Sequence, residues 1–553
     1  MPSSNAAIQY VPAGYDTSGP KLMGRMAAGE GFLDAYLRHA GIERFYCYAA
    51  ERKEAAHFAA LAQGIGATPV DWVPWANPAG LAKPGALYIP DPSLHEHAWR
   101  RRGRDQRAYS LTGITHTTAS SGAMDMIADF ALAPVQDWDA LICTAKTVRT
   151  MVEALMDEQA AYLQDRLGAQ AAPRPQLPVI PLGVDCARFA PDGAMRAAQR
   201  QALGIAPDDI VFLFVGRLSF HAKAHPYPMY LALERAARQT GKRLHLIQAG
   251  WFANEFIESA FRDGARDFCP SVTAHFLDAR KPEVRFPVWQ AADIFTSLSD
   301  NIQETFGLTP IEAMAAGLPS VVTDWDGYRD TVQHGEHGLR VPTLAPPPGL
   351  GADLADAHAI SLDTYDRYCG YASQFIAVDI PATAEAYVAL IESPDLRARF
   401  GAAARKAAEA SFDWRHVIAR YQELWAELAA RRAASAESAP ARGPVDWPAR
   451  ADPFTLFADY PTDALSPRHR LEPGDFPGDL AAIVDHHLFK FGVHRLRLDL
   501  CELVLRKVVE QSGTDLETIG AGLGDVDRML LLRNASFLAK LGLVRVRPPG
   551  SGS

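Results

Sequence analysis

The chain has 553 residues, and none of its apolar runs approaches the roughly 18 residues that a membrane-spanning helix needs. Its first residues, MPSSNAAIQYVPAGYD, show no basic stretch followed by an apolar core, so no signal peptide is expected. Cysteine is sparse. The six residues Cys47, Cys143, Cys186, Cys269, Cys369 and Cys501 are scattered without metal-binding spacing, and they read as reduced, packed thiols of a cytoplasmic protein. Positive charge is not in excess. Net charge is −10, which excludes bulk electrostatic binding to nucleic acid and leaves room for a local basic patch or a peripheral membrane contact. No Asp-any-Asp metal motif stands out in a convincing place, and no bound metal or cofactor is expected.

What is present is a full-sized apolar complement, 48% of residues, in a chain long enough for about three domains. Short apolar runs alternate with helical stretches. Candidate strands are 44–48, 70–73, 86–89, 113–116 and 140–144, with Ile180–Asp185 ending this half. A second series runs through 210–215, 244–248, 273–277, 294–297 and 320–323. Alternation of this kind implies parallel β/α units, hence an α/β protein with two Rossmann-like domains facing a cleft. The expected domains are 1–192 and 193–430, then a linker rich in alanine, proline and arginine at 431–452, then a mainly helical, winged-helix-like domain at 453–553. Residues 344–378, opened by Ala345-Pro346-Pro347-Pro348-Gly349, look like an insertion whose tyrosines pack locally or touch a ligand.

The most informative segment is SLSDNIQETFGLTPIEAMAAGLPSVVTDWDGYRD, residues 297–330. Phe306-Gly307-Leu308-Thr309-Pro310 reads as a tight approach into a helix, with Pro310 in the first turn where its missing N–H costs nothing. Gly317-Leu318-Pro319 stops that helix, and Ser320–Thr323 reads as a buried strand. A helix start presents free amides to an anion. Glu304 lies just before it and Glu312 upon it, placed to accept hydrogen bonds from hydroxyls of a ligand whose phosphates face the amides. An isolated acid pair of this kind would be an ordinary solvated helix edge. Here the pattern extends through Gly317, Pro319 and Asp324.

This segment resembles the Glu-(seven residues)-Glu signature of retaining GT-B glycosyltransferases, especially glycosyltransferase family 4. The resemblance implies that Glu304 contacts a donor sugar, that Glu312 holds a ribose, and that Phe306, Gly307, Leu308 and Thr309 line the donor. It also covers Val215-Gly216-Arg217-Leu218 and the following loop, where Arg217 and Lys223 would neutralise the donor diphosphate. Fixed cations there stabilise a leaving group that gains charge as the glycosidic bond breaks. His221 and His225 in the same loop have no assigned role. His116, at a first-domain strand end, matches a histidine that reaches the donor sugar in similar enzymes. Gly24, in GRMAAGEG (24–31) before a helix, matches the family's glycine-rich loop, but without its adjacent glycine pair. FDWRHVIARYQELWAEL resembles the closing segment that returns to brace the first domain.

The reading that follows is a cytoplasmic, metal-independent, retaining glycosyltransferase with no cofactor beyond its donor, a nucleotide diphosphate-sugar. Its acceptor would be a carbohydrate, lipid-linked or protein group. An alternative is a sugar-nucleotide-binding regulator acting through its C-terminal domain. Residues 453–553 carry 12 Lys plus Arg against 13 Asp plus Glu, so that domain suits self-association or protein docking better than DNA.

Overall fold

The structure, a computed structural model, describes residues 5–16, 24–170, 172–440, 447–476 and 478–549. It divides into two compact units, Met1–Trp447 and Pro448–Ser553. Unit one holds two six-stranded parallel sheets. The first comprises β1 (Ala7–Gln9), β2 (Phe45–Ala49), β3 (Val70–Pro74), β4 (Ala86–Tyr88), β5 (Ser110–Ile114) and β6 (Ala140–Ile142). The second comprises β7 (Ile210–Val215), β8 (Leu244–Gly250), β9 (Val272–Asp278), β10 (Ile294–Ser297), β11 (Ser320–Thr323) and β12 (Gly338–Val341).

The strand orders are β3-β2-β1-β4-β5-β6 and β12-β11-β10-β7-β8-β9. Counted within each lobe, both are the doubly wound order 3-2-1-4-5-6, so the chain builds one architecture twice. Helices cover both faces of each sheet, which is why a central strand such as Ile210–Val215 is apolar at every position rather than alternating. In the second lobe the order reverses between β7 and β10, which pair side by side with Ile294 opposite Phe212. A crevice opens beyond their carboxyl ends, and the loops that leave them carry Arg217 and Glu304.

Several element boundaries differ from the sequence reading. β5 occupies Ser110–Ile114 rather than 113–116, so His116 stands two residues beyond its end. The register explains this: Ala86, Leu87 and Tyr88 pair with Ser110, Leu111 and Thr112. Val179 and Val184, at the end of the first half, make isolated bridges to Cys143 and Asp413 as the chain crosses between lobes. GRMAAGEG does not precede a helix but is the opening of one, Gly24–His39. Its glycines serve packing: a Cβ on Gly29 would sit 2.5 Å from the Gly14 carbonyl oxygen, and one on Gly31 would sit 3.1 Å from the Trp414 ring.

The helix Trp414–Ala434 returns to the first lobe, as the resemblance of its sequence to the closing segment implies. Tyr421 packs on Phe32 and Tyr88, and Trp425 meets Tyr36 edge-on. Gln422 Nε2 donates to the Ala40 carbonyl at 2.7 Å, and Arg432 Nη1 donates to the Gly85 carbonyl at 2.6 Å. The 431–452 segment is therefore helical to Ala434. Beyond it, residues up to Pro440 lie against the first lobe, where Arg102 Nε donates to the Ala439 carbonyl at 2.9 Å and Gln136 Nε2 to the Ser438 carbonyl at 3.1 Å. Residues 441–446 lie outside the described residues. Of the arginines at 100–107 only Arg101 is buried, in a bidentate pair with Asp139 at 2.6 Å, while the exposed Arg107 donates to the carbonyls of Arg432 and Ser435. Cations at the carboxyl end of a helix also suit its dipole.

The 344–378 excursion leaves through β13 (Thr343–Leu344) and returns through β14 (Ala377–Val378), which pair antiparallel. It contains the helices Ala352–Ala359 and Tyr365–Ser373.

Unit two contains the helices Leu498–Glu510, Leu516–Ile519 and Asp525–Lys540. Its small antiparallel sheet has β15 (Arg470–Pro473) between β16 (Thr514–Asp515) and β17 (Val544–Arg547). Leu471, Cys501, Val504, Leu531, Ala535 and Leu538 form its core. The three helices and the final strand lie where the sequence reading puts them, and the structure adds β15 and the short β16, which that reading lacked. Among the described residues no helix is long and apolar enough to cross a membrane.

Candidate functional site

The loop after β7 and the loop after β10 meet at the crevice. Arg217 follows Gly216, and its Nη2 lies 3.4 Å from both the Ala222 carbonyl and Gln303 Oε1. Lys223 ends the same loop, and its Nζ lies 3.2 Å from Glu304 Oε2. Asn301, fully buried, anchors the arrangement by donating from Nδ2 to the His221 carbonyl at 2.9 Å. Arg217, Lys223 and Glu304 thus share one corner.

The chain then turns into the helix Leu308–Ala315. Gly307 is its N-cap, with φ of +80°, a region open to glycine and costly for other residues. A Cβ there would fall onto the Tyr328 ring, whose hydroxyl is fixed 2.8 Å from Ser297 Oγ. Phe306 is buried against Phe412. With no side chain capping the helix, the amides of Leu308 and Thr309 are free to meet an anion.

Glu312 lies on the second turn of this helix. Burial pushes its carboxyl up to about 7, against the opposing pull of the Arg285 charge. Asp300 and Asp326 are likewise raised to about 7, mainly by burial. Asp300 accepts from the His225 amide at 3.3 Å, whereas Asp326 accepts from Thr147 Oγ1 of the first lobe at 2.6 Å. His225 itself caps the helix Pro226–Thr240 by accepting from the Tyr227 amide, a structural task.

The first lobe reaches the same place. The His116 carbonyl accepts from Thr305 Oγ1 at 2.7 Å, which sets His116 one residue from Glu304 in the bonded network. Its ring is held down to about 4, because burial disfavours the imidazolium more than the Pro90 carbonyl and Asp91 favour it. The Arg25 charge, near the start of the Gly24–His39 helix, also lowers it slightly. A Cβ on Gly24 would meet nothing within 4 Å. Arg217, Lys223 and Glu304 are therefore brought together, with His116 bonded beside Glu304 through Thr305, whereas no contact among the described residues ties Gly24 or Glu312 to them. Sequence reasoning passed over Thr305, Asp326 and Thr117, which join the lobes. Only Asp326 left a local trace in the sequence, the Asp326-Gly327 turn pair, and its φ of +41° fits such a turn.

Residues 209–358 match the family model described as Glycosyl transferases group 1. A D-inositol 3-phosphate glycosyltransferase of Nocardia farcinica is 32% identical over 212 residues, 38% of this chain and 44% of that protein. Its namesake from Rhodococcus erythropolis is 30% identical over 255 residues, 45% of this chain and 56% of that protein. The chain thus spans about half the length of these curated relatives. The crystal structure of Anabaena Alr3699/HepE in complex with UDP aligns over 76% of this chain and 98% of its own, with 17% identity and a TM-score of 0.47. Residues 209–358, which run from β7 past β12, are thus similar to the glycosyl transferases group 1, and they form the second of the two doubly wound lobes.

Proposed function

We propose that this protein transfers a sugar from a nucleoside diphosphate-sugar to an acceptor hydroxyl, with retention of configuration and without a metal. The observation that carries the reading is the Lys223–Glu304 pair beside Arg217, at a strand-order reversal and before an uncapped helix start. Arg217, Lys223 and the amides of Leu308 and Thr309 would bind the diphosphate and stabilise the charge it gains on departure. Glu304 would accept from sugar hydroxyls, and Phe306 and Gly307 would shape that turn. Glu312, desolvated and without a bonded partner among the described residues, would accept from the ribose hydroxyls. His116, neutral at physiological pH, would reach the sugar from the first lobe, with Gly24 at the rim.

Retention fits attack on the face the diphosphate leaves, its phosphate oxygen taking the acceptor proton. No carboxylate nucleophile is then needed, unlike the paired acids of retaining glycosidases. The relatives are named for D-inositol 3-phosphate, so cyclitol and sugar phosphates join carbohydrates, lipid-linked sugars and proteins on an acceptor panel. Six buried free thiols support a reducing compartment such as the cytoplasm. Unit two, nearly neutral and with exposed Phe491, Leu488, Val526 and Met529, is read as a protein-contact or self-association module with its own core.

Calorimetry with UDP, GDP and ADP tests the reading. One of them should bind with a dissociation constant below about 1 mM, the range of working substrate affinities. Failure of all three to bind overturns it.

A further inference from the structure

The excursion between β13 and β14 is not part of either doubly wound sheet, yet it stands over the cleft. Its helix Tyr365–Ser373 touches both lobes where the site residues converge. On the second lobe, Gly370 packs so closely on the Arg217–Lys223 loop that a Cβ would lie 2.9 Å from His221 Cβ. The His221 ring there faces the charges of both Asp366 and Arg217. On the first lobe, the Tyr365 hydroxyl shares a 3.0 Å hydrogen bond with Thr117 Oγ1, one residue from His116. Tyr365 is half-buried and Cys369 fully buried, so this helix is seated rather than loosely draped. A helix that bonds beside His116 and packs on the loop carrying Arg217 closes the gap between the two lobes on that side.

We propose that residues 345–376 form the acceptor-side wall of the cleft, and that Tyr365 is a specificity-determining residue that favours a bound acceptor hydroxyl over water. The inference rests on the glycosyl-transfer reading. In that reaction the bond from the anomeric carbon to the diphosphate oxygen breaks. A bond from that carbon to the acceptor oxygen forms, and the acceptor proton passes to the leaving diphosphate. Water in the acceptor's place makes and breaks the same bonds and yields free sugar. Excluding it is therefore a matter of which hydroxyl reaches the carbon. The bond that Tyr365 makes is to Thr117 of the first lobe rather than to Arg217, Lys223 or Glu312, so this residue governs that choice without holding the diphosphate.

The excursion enters and leaves on an antiparallel pair, Thr343 opposite Val378 and Leu344 opposite Ala377, so a short Gly-Ser turn can replace residues 346–375. The test compares the full chain, this shortened chain, Tyr365→Phe and Tyr365→Ala. Free sugar released from UDP-glucose, GDP-mannose and ADP-glucose is measured beside calorimetric affinity for UDP, GDP and ADP. Tyr365→Phe, which removes one hydrogen bond, should raise sugar release about fivefold, with the shortened chain and Tyr365→Ala at about tenfold or more. In the two Tyr365 variants diphosphate affinity should stay within about twofold, since a lost bond to the first lobe leaves uniform donor binding intact. Unchanged release in Tyr365→Phe and Tyr365→Ala, or release that falls together with diphosphate affinity, overturns the proposal. If the unaltered chain binds none of the three diphosphates, the glycosyl-transfer reading itself falls, a result distinct from the other two.

Discussion

Lys223 Nζ and Glu304 Oε2 stand 3.2 Å apart, so the cation proposed for the diphosphate is neutralised by the acid proposed for the sugar. Both side chains are largely shielded, 30% and 13% exposed, and the pair holds each in position before a ligand arrives. A donor would enter between them, and each would exchange its partner for a ligand group.

Replacing Lys223 by methionine is expected to weaken nucleoside diphosphate binding about 10- to 100-fold, the worth of one hydrogen bond to a charged group. Turnover should fall by on the order of 10²-fold or more, as when a preorganised electrostatic group is lost. Arg217→Met should behave alike. Calorimetry and initial rates at saturating donor check both. A variant that keeps its diphosphate affinity is no clamp.

Glu312 gives a pH signature with a fixed sign. Burial raises its folded carboxyl to about 7 from the ordinary 4.5, so the folded state binds the extra proton and is stabilised below that range. Stability is lost as pH rises from about 4.5 through 7. Glu312→Gln removes the penalty and should gain up to about 3 kcal/mol above pH 7, read from urea midpoints at pH 5 and pH 8. The same substitution should flatten a diphosphate affinity that in the unaltered chain rises through pH 7, since only the carboxylate accepts from both ribose hydroxyls.

Gly307→Ala should be damaging well beyond an ordinary surface change. The positive φ alone costs about 1–2 kcal/mol, and the methyl group would collide with a buried tyrosine ring. A thermal midpoint below that of the unaltered chain, with loss of diphosphate binding, is the expected outcome. Tyr328→Ala would relieve the collision without relieving the backbone strain.

His116 should act as a neutral ring. Burial depresses its folded value to about 4 from 6.5, so its contribution to stability is complete above pH 6.5 and is lost as pH falls through 4. His116→Ala should cut turnover while sparing diphosphate affinity. The turnover of the unaltered chain should show no titration from this residue above about pH 6.

The helix that braces the first lobe moves the natural truncation point. A chain ending after Arg432 loses Ser435 and Ser438, which bond to Asp137 and Gln136 of the first lobe. One ending after Trp447 keeps them, together with the stacking of Trp447 on Trp99. The longer truncation product should bind the diphosphate with unchanged affinity and melt near the full-length lobes. The shorter should melt several degrees lower by differential scanning calorimetry.

Strands rich in β-branched and aromatic residues, such as Ile210–Val215 and Ser320–Thr323, were legible because long apolar runs between turn residues carry their own signal. β1, three residues long and ending in Gln9, and β12, with Arg340 in its centre, were not, since their place in the sheet comes from neighbours rather than from local pattern. The second-lobe site could be read because its residues fall within two short stretches around Arg217 and Glu304. Thr117, Thr147 and Tyr365 could not, because each acquires its partner across 179 or more residues of sequence. The glycines of 24–31 misled for a similar reason: the atoms that require them, the Gly14 carbonyl and the Trp414 ring, are remote from a local reading.

The return of Trp414–Ala434 to the first lobe has a consequence for synthesis. Phe32, Tyr36 and Tyr88 emerge from the ribosome early, but the rings that cover them, Tyr421 and Trp425, are made more than 330 residues later. Until then the nascent first lobe carries an uncovered aromatic face, while the second lobe can complete its own sheet. The order of translation and the order of completion are therefore reversed, and the emerging chain spends most of its elongation with the older half unfinished, a period when a chaperone or a slow ribosome would matter most.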